Sequence, residues 1–321
     1  MLALLALAVL PLIPGGRQPQ LAADGATVAL AYSDGKVVYA AVSDDGGDTF
    51  GAPHAIAGAN FMVGRHRGPR VVVKGNRIVV SAITDGMLVA WNSADRGRKW
   101  SEAAVVNDVP KSAREGLHGM AVGPKGEIFA SWLDLRSAGM KVYGAMSTDG
   151  GASWSANRLV YESASGNVCE CCHPSVAIDG QGRIHVMFRN WLGGSRDMYL
   201  ATSTDQGTTF QAAKLGSGSW KLNACPMDGG GLAVGPAGPV TVWRREGQIH
   251  ADGVLGEGKD PALAVGPNGK PVYGWTRNGE VIIGGESMGT GGFVSLAGGS
   301  QVVAAWETPE GIKVQRLRPA P

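Results

Sequence analysis

Ser147-Thr148-Asp149-Gly150-Gly151-Ala152-Ser153-Trp154 is the stretch whose reading decides the fold. Its form, S-x-D-x-G-x-[TSK]-[WF], occurs in three other segments: Ser43 to Phe50 around Asp45, Ser93 to Trp100 around Asp95, and Ser203 to Phe210 around Asp205. The four starts lie 50, 54 and 56 residues apart, and periods of that size belong to arrays of one repeated supersecondary unit. The reason for the pattern is local. An Asp carboxylate accepts backbone N–H bonds across a tight turn, the glycine supplies a positive φ, and the aromatic ring tucks under the hairpin. The segment is a staple and carries no chemistry of its own.

A second repeat surrounds the first. An apolar strand, a Gly-Pro or Asp-Gly turn and a second strand ending in a large apolar residue recur, as in Met120 to Trp132, Val176 to Phe188, Leu232 to Trp243 and Leu263 to Trp275. The equivalent end positions are Tyr32, Ile83, Trp132, Phe188, Trp243, Trp275 and Trp306. Two-residue alternation in these strands excludes helical solenoids. Each unit alone would expose sheet edges and a half-buried face. Packing the units radially around an axis removes both defects, and that arrangement is an all-β propeller of about seven blades. A count of six follows if the last unit and an N-terminal strand share one sheet.

Composition agrees. The 321 residues include 50 Gly and 17 Pro, about a fifth of the chain, against roughly 12% in average usage. Hydrophobic residues make up 44% and the formal net charge is +2, which excludes a disordered chain. No broad basic face is available for nucleic acid. Leu2 to Ile13 is almost wholly apolar, too short to span a bilayer and of the length of a signal-peptide core. The expectation is a leader or disordered segment over 1–20, one domain over 21–321, export to a periplasmic or extracellular location, and no transmembrane span in the mature chain.

The four boxes on blades of about 50 residues resemble the Asp-box repeats of the sialidase superfamily, and the resemblance covers roughly residues 21 to 317. It implies the propeller fold; it does not by itself imply an activity, since unrelated functions share one fold. In such a blade the Asp boxes are turns between the third and fourth strands and lie on one face. Links between blades lie on the other, and the long unrepetitive links are where function is expected.

All four cysteines fall in two adjacent links, Cys169-Glu170-Cys171-Cys172-His173-Pro174 and Ala224-Cys225-Pro226-Met227-Asp228. Three readings compete. In the first, an even cysteine count in an exported chain makes disulfides that clip the links together, with Cys225 paired to the first run. In the second, Cys169, Cys171, Cys172 and Cys225 join His173, Met227 and His118 in a site for copper or zinc, because thiolate, imidazole and thioether suit soft cations. In the third, Cys169-x-x-Cys172-His173 satisfies the short covalent-haem pattern. The run CECC followed by CPMDG also resembles a group of exported Asp-box proteins often labelled exo-α-sialidase.

The superfamily resemblance implies a further set of expectations: three arginines clamping a substrate carboxylate, a Tyr–Glu nucleophile pair and an Asp acid/base. A planar guanidinium suits a carboxylate because it donates two parallel hydrogen bonds. Arg189, Arg245 and Arg277 stand at the ends of three second strands and are the candidate clamp; Asp134 is a candidate acid and Tyr199 a candidate nucleophile. Tyr161-Glu162 is the adjacent Tyr–Glu pair, on an outer strand. The preferred reading is a propeller that binds a small molecule, glycan, protein or soft metal on its top face. A sialidase-type glycoside hydrolase and a purely structural or protein-binding propeller are the alternatives.

Overall fold

A computed structural model describes residues 12–317. Seven four-stranded antiparallel sheets form a seven-bladed β-propeller, with no helix among the described residues. The blades span 17–58, 70–105, 118–161, 175–214, 230–257, 259–290 and 292–317. The first strands of neighbouring blades touch one another round the ring, so they line the axis. The seven expected end positions all lie on second strands, for example Trp132 on Ile128–Asp134 and Trp306 on Val302–Thr308.

Closure settles the blade count. Ile13–Pro14 pairs with Gly311–Leu317 as the fourth strand of blade seven, so the last unit and an N-terminal strand do share one sheet. The count nonetheless stays at seven, because Arg17–Asp24 separately supplies the first strand of blade one. The boundary expected at residue 21 therefore lies too late: residues 13–14 and 17–20 are already in strands. Pro19 fits at a strand edge, where its missing N–H costs no ladder bond. Most of the apolar stretch read as a leader lies outside the described residues.

The core sits between blades. Leu117, Phe129 and Leu133 of blade three and its leading link pack with Val176, Ile184 and Phe188 of blade four. Comparable clusters join blades one and two, two and three, and seven and one. Burying a side chain of this size stabilises by roughly 1.5–3 kcal/mol, and the alternating strands present such side chains to the adjoining blades.

Three of the four boxes repeat atom for atom. Ser147 Oγ donates to Asp149 Oδ1 at 2.8 Å, Gly151 N–H donates to Ser147 Oγ at 2.8 Å, and Ser153 N–H and Oγ donate to the two oxygens of Asp149. The same set recurs around Asp45 and Asp205; around Asp95 the side-chain donor is missing because Lys99 replaces the hydroxyl. Gly151 has φ +90°, the left-handed value that the turn requires. All four boxes connect third to fourth strands, whereas the cysteine run connects blade three to blade four, so the two features lie on opposite faces.

Candidate functional site: a buried thiol cluster on the top face

The link from Tyr161 to Ser175 carries Cys169, Cys171 and Cys172 inward. Cys169 N–H donates to Arg189 O at 2.9 Å, which fixes the run against the second strand of blade four, Ile184–Leu192. The three side chains are 0%, 6% and 1% exposed. Their sulfurs lie 3.1 Å (169–172), 3.6 Å (169–171) and 3.9 Å (171–172) apart. Met227 packs against them.

Arg196, on the third strand of the same blade, donates from Nη1 to Cys169 Sγ at 3.2 Å and from Nε to Leu222 O at 3.3 Å, and its plane lies over Trp191. The Cys169 thiol is held well below its ordinary range. Hydrogen bonds from Cys171 and Cys172 contribute most, burial opposes them, and Arg189 and Arg196 add to the lowering. The other two thiols move up, Cys171 chiefly because it donates to Cys169 and Cys172 chiefly through burial. One thiolate among two thiols is thus the charge state the surroundings favour.

Cys225 stands apart. It is a free, exposed thiol outside the mutually close set. Its loop is pinned on both sides. Trp220 N–H donates to Asp197 Oδ1 at 2.8 Å and Leu222 N–H to Gly194 O at 3.2 Å; beyond the cysteine, Pro226 and Asp228 are buried. The expected tie between the two links is made here by Arg196, which touches both. Met227 has φ +66°, a conformation that costs on the order of 1–3 kcal/mol for a non-glycine residue and persists only where its flanks are fixed.

A second polar group fills the axis. Asp228 is fully buried; it receives Arg189 Nη2 at 3.3 Å, Arg244 Nη1 at 3.5 Å and the Asp260 N–H at 3.3 Å. Burial pushes its carboxyl up, Arg189 and Arg244 oppose this, and Asp260 adds to it. His66 Nε2 donates to Asp260 Oδ1 at 2.8 Å, and the ring stacks on His173 at 4.5 Å and meets Phe293 edge-on. One imidazole therefore touches the starts of blades four, six and seven. His173 Nδ1 accepts from Gly229 N–H at 3.3 Å, and a Cβ on Gly229 would collide with the His173 carbonyl and ring. Arg70 is buried among backbone carbonyls, and burial brings its guanidinium down to about 10.

These placements correct several expectations. Arg189 faces the axis, but its charge is spent on Asp228. Arg245 bonds outward to the Ser217 carbonyl, and Arg277 is exposed. The reason is register: Phe188 pairs with Tyr199 and Trp243 with His250, which makes Arg244 and Thr276 the equivalents of Arg189. A slip of one residue turns a strand's side chains to the opposite side. Asp134 is no free acid. Burial works to raise it, but hydrogen bonds from Arg136 and Trp132 hold it low. Tyr199 packs with Phe188 and Tyr161 between strands. Tyr161 accepts from Asn190, and Glu162 pairs with Lys141, so these neighbours do not act on each other. His118 shares a hydrogen bond with Ser81 at 3.0 Å, burial holds it neutral, and neither it nor His173 joins the close thiol set.

Arg244 and Asp260 were not among the residues singled out for the site. A signal for Asp260 existed: Asp260-Pro261 shares with Gln18-Pro19, Gly68-Pro69 and His173-Pro174 an X-Pro step at the entry to a first strand. Gln18, Asp260 and Phe293 all have positive φ beside a break in strand register. Such bulges re-aim a side chain.

Residues 73–231 match the BNR repeat-like domain family. No curated protein matches the chain. Among solved structures, a Hadza microbial sialidase, Hz136, has a TM-score of 0.59 at 16% identity, covering 95% of this chain and 66% of that one. The intramolecular trans-sialidase of Ruminococcus gnavus gives 0.56 at 11% over 95% and 94%, and the α-L-arabinanase of Penicillium chrysogenum 0.55 at 14% over 96% of each. At these identities the likeness is one of fold. No helix among the described residues is long and apolar enough to cross a membrane. The chain is thus a seven-bladed β-propeller whose fold resembles that of these sialidases and arabinanase and whose residues 73–231 match a BNR repeat-like domain.

Proposed function

We propose that this propeller binds a thiophilic d10 cation, Cu(I) foremost, through Cys169, Cys171 and Cys172 on its top face, and that it does so as an exported protein without glycosidase turnover. The observation that carries the reading is the convergence of three buried sulfurs at 3.1–3.9 Å with a guanidinium donating to one of them. A metal–sulfur bond of about 2.3 Å places ligand sulfurs about 3.8–4.0 Å apart in tetrahedral or trigonal geometry. Two of the three spacings are close to this, and the third needs to open by less than about 1 Å. A disulfide needs sulfurs at about 2.05 Å. Soft thiolates favour Cu(I), with Met227 beside them as a thioether. Structural zinc almost always takes four ligands, and the fourth thiol, Cys225, lies outside the close set. Arg196 offsets part of the negative charge that three thiolates bring to a monovalent ion.

Hydrolysis of a sialoside would need a free clamp and a Tyr–Glu pair. Arg189 is engaged by Asp228, and Arg245 and Arg277 face elsewhere. The test is an equilibrium titration of the reduced, metal-free protein with Cu(I) buffered by bicinchoninate. One Cu(I) per chain is expected, and its loss in the Cys169→Ser/Cys172→Ser double variant. No uptake by the wild type, or equal uptake by the variant, overturns the reading. Turnover of a fluorogenic sialoside that disappears in Arg189→Ala would favour the hydrolase instead.

A further inference from the structure

Three of the four thiols are sealed and one is open, and the open one sits between two residues tied to the sealed three: Leu222, whose carbonyl accepts from the same Arg196 that donates to Cys169, and Met227, which packs against the cluster. Cys225 is exposed, whereas Cys169, Cys171 and Cys172 are 0%, 6% and 1% exposed, so Cys171 is the most accessible of the buried three. The segment bearing Cys225 does not swing freely. Trp220 and Leu222 are bonded to blade four on one side, Pro226 and Asp228 are buried on the other, and Arg196 joins the Leu222 carbonyl to Cys169 Sγ. A short exposed stretch, Asn223 to Cys225, is thus held over a closed cluster.

We propose that Cys225 is the exchange ligand of the site: it takes Cu(I) from an incoming thiolate donor, passes it inward through Cys171 and returns it by the same route. The inference rests on the metal-binding reading above. Each step is a ligand substitution. The bond from Cu(I) to the donor sulfur breaks as the bond to Cys225 Sγ forms. The Cys225 bond then breaks as bonds to Cys171, Cys169 and Cys172 form, and every thiol that becomes a ligand releases its proton to water. No electron is transferred, so no oxidant or reductant is required. A buried trio alone would hold the ion but offer no sulfur to a donor outside. An exposed thiol alone would offer a sulfur but hold the ion loosely.

The prediction separates kinetics from affinity. A group that acts only during exchange lowers the loading and unloading barriers equally, so its loss slows both and leaves the equilibrium alone. A fourth permanent ligand would instead change the equilibrium. The experiment compares wild type with Cys225→Ser, an exposed and near-isosteric change, after confirming that the metal-free thermal midpoints agree. Loading is followed by stopped flow from a Cu(I)–glutathione complex and unloading to bathocuproine disulfonate. Affinity is measured against bicinchoninate. The expected result is an affinity unchanged within about threefold, with both rates slowed about tenfold or more, as a barrier higher by one decade requires. Unchanged rates overturn the proposal, and so does a variant whose affinity falls with the metal. If the wild type takes up no Cu(I) in the affinity measurement, the preceding reading of the site has failed, and that outcome is distinguished from a failure of Cys225 alone.

Discussion

The Asp-box turns and the cysteine links both arrange polar groups around a carboxylate or a thiolate, but they use opposite means. In the box, Asp149 is served by residues two and four positions away. In the top-face cluster, Cys169 is met by Arg196 across 27 positions, Asp228 by Arg189 across 39, and Asp260 by His66 across 194. The first unit can be copied along a chain, because everything it needs travels with it. The second exists only once the ring has closed and brought four blades to the axis. The bottom-face boxes are accordingly scaffold and the top-face cluster is the candidate site, and substitutions in the two regions should differ in what they damage.

The largest effect is expected at Asp228. Removing this carboxylate in Asp228→Ala leaves the buried Arg189 and the half-buried Arg244 without their partner, and breaking a buried pair such as Arg189–Asp228 costs about 3–5 kcal/mol. Chemical denaturation measures it, and a loss below about 1 kcal/mol would show that the axis is not the keystone drawn here. An intermediate effect is expected at a single box. Asp149→Ala removes three hydrogen bonds of an exposed turn, for about 1 kcal/mol after allowance for solvent screening, with Cu(I) affinity untouched.

The boxes also set an acid limit. Hydrogen bonds from Ser153 and Ser147 take Asp149 down to about 2, and Asp45 and Asp205 are lowered to about 2 as well. An unfolded Asp titrates near 4, so the folded state binds fewer protons than the unfolded one. The contribution is complete above about pH 4 and is lost as pH falls toward about 2. A pH series of denaturation midpoints should show this decline in the wild type and a shallower one in Asp149→Asn. The smallest effect is expected at Arg245→Ala and Arg277→Ala, within about 0.5 kcal/mol as for exposed positions and without consequence for metal uptake. A large loss of either stability or uptake would mean that these two arginines do belong with Arg189.

The same contrast explains what could be read from the chain. Blade number, box geometry and the face bearing the cysteines follow from local spacing, so Asp149 and Trp132 announce themselves. Arg244 was missed in favour of Arg245 because strand ends are not a fixed register. The second strand of blade four runs three residues past Arg189, to Leu192, whereas that of blade five stops at Arg245. The repeat itself sets the phase, with Arg189 following Phe188 as Arg244 follows Trp243, and the pairing of Trp243 with His250 agrees with it. His66 was legible as a histidine of a top-face link, but its partners were not. It stands in the link before blade two with φ +65°, and its partners, Asp260, His173 and Phe293, are chosen by closure of the ring. Cys225 was legible as a cysteine near cysteines, but its exposure depends on how Arg196 and Trp220 fasten the loop.

The short pairing of residues 13–14 with 311–312 also determines how the molecule responds to force. The two strands run antiparallel, so a pull applied at residues 12 and 317 draws both out of the same end of the ladder. The bonds of that pair are then loaded one after another, as in peeling tape, rather than together, as in shear. Behind them the load reaches Gln18 on Glu307, Leu21 on Ser295, and the apolar seam of Leu21, Val28 and Leu30 against Val303 and Ile312. Blade four, with its thiols, lies on the far side of the circle from this seam and is the part that tension reaches last.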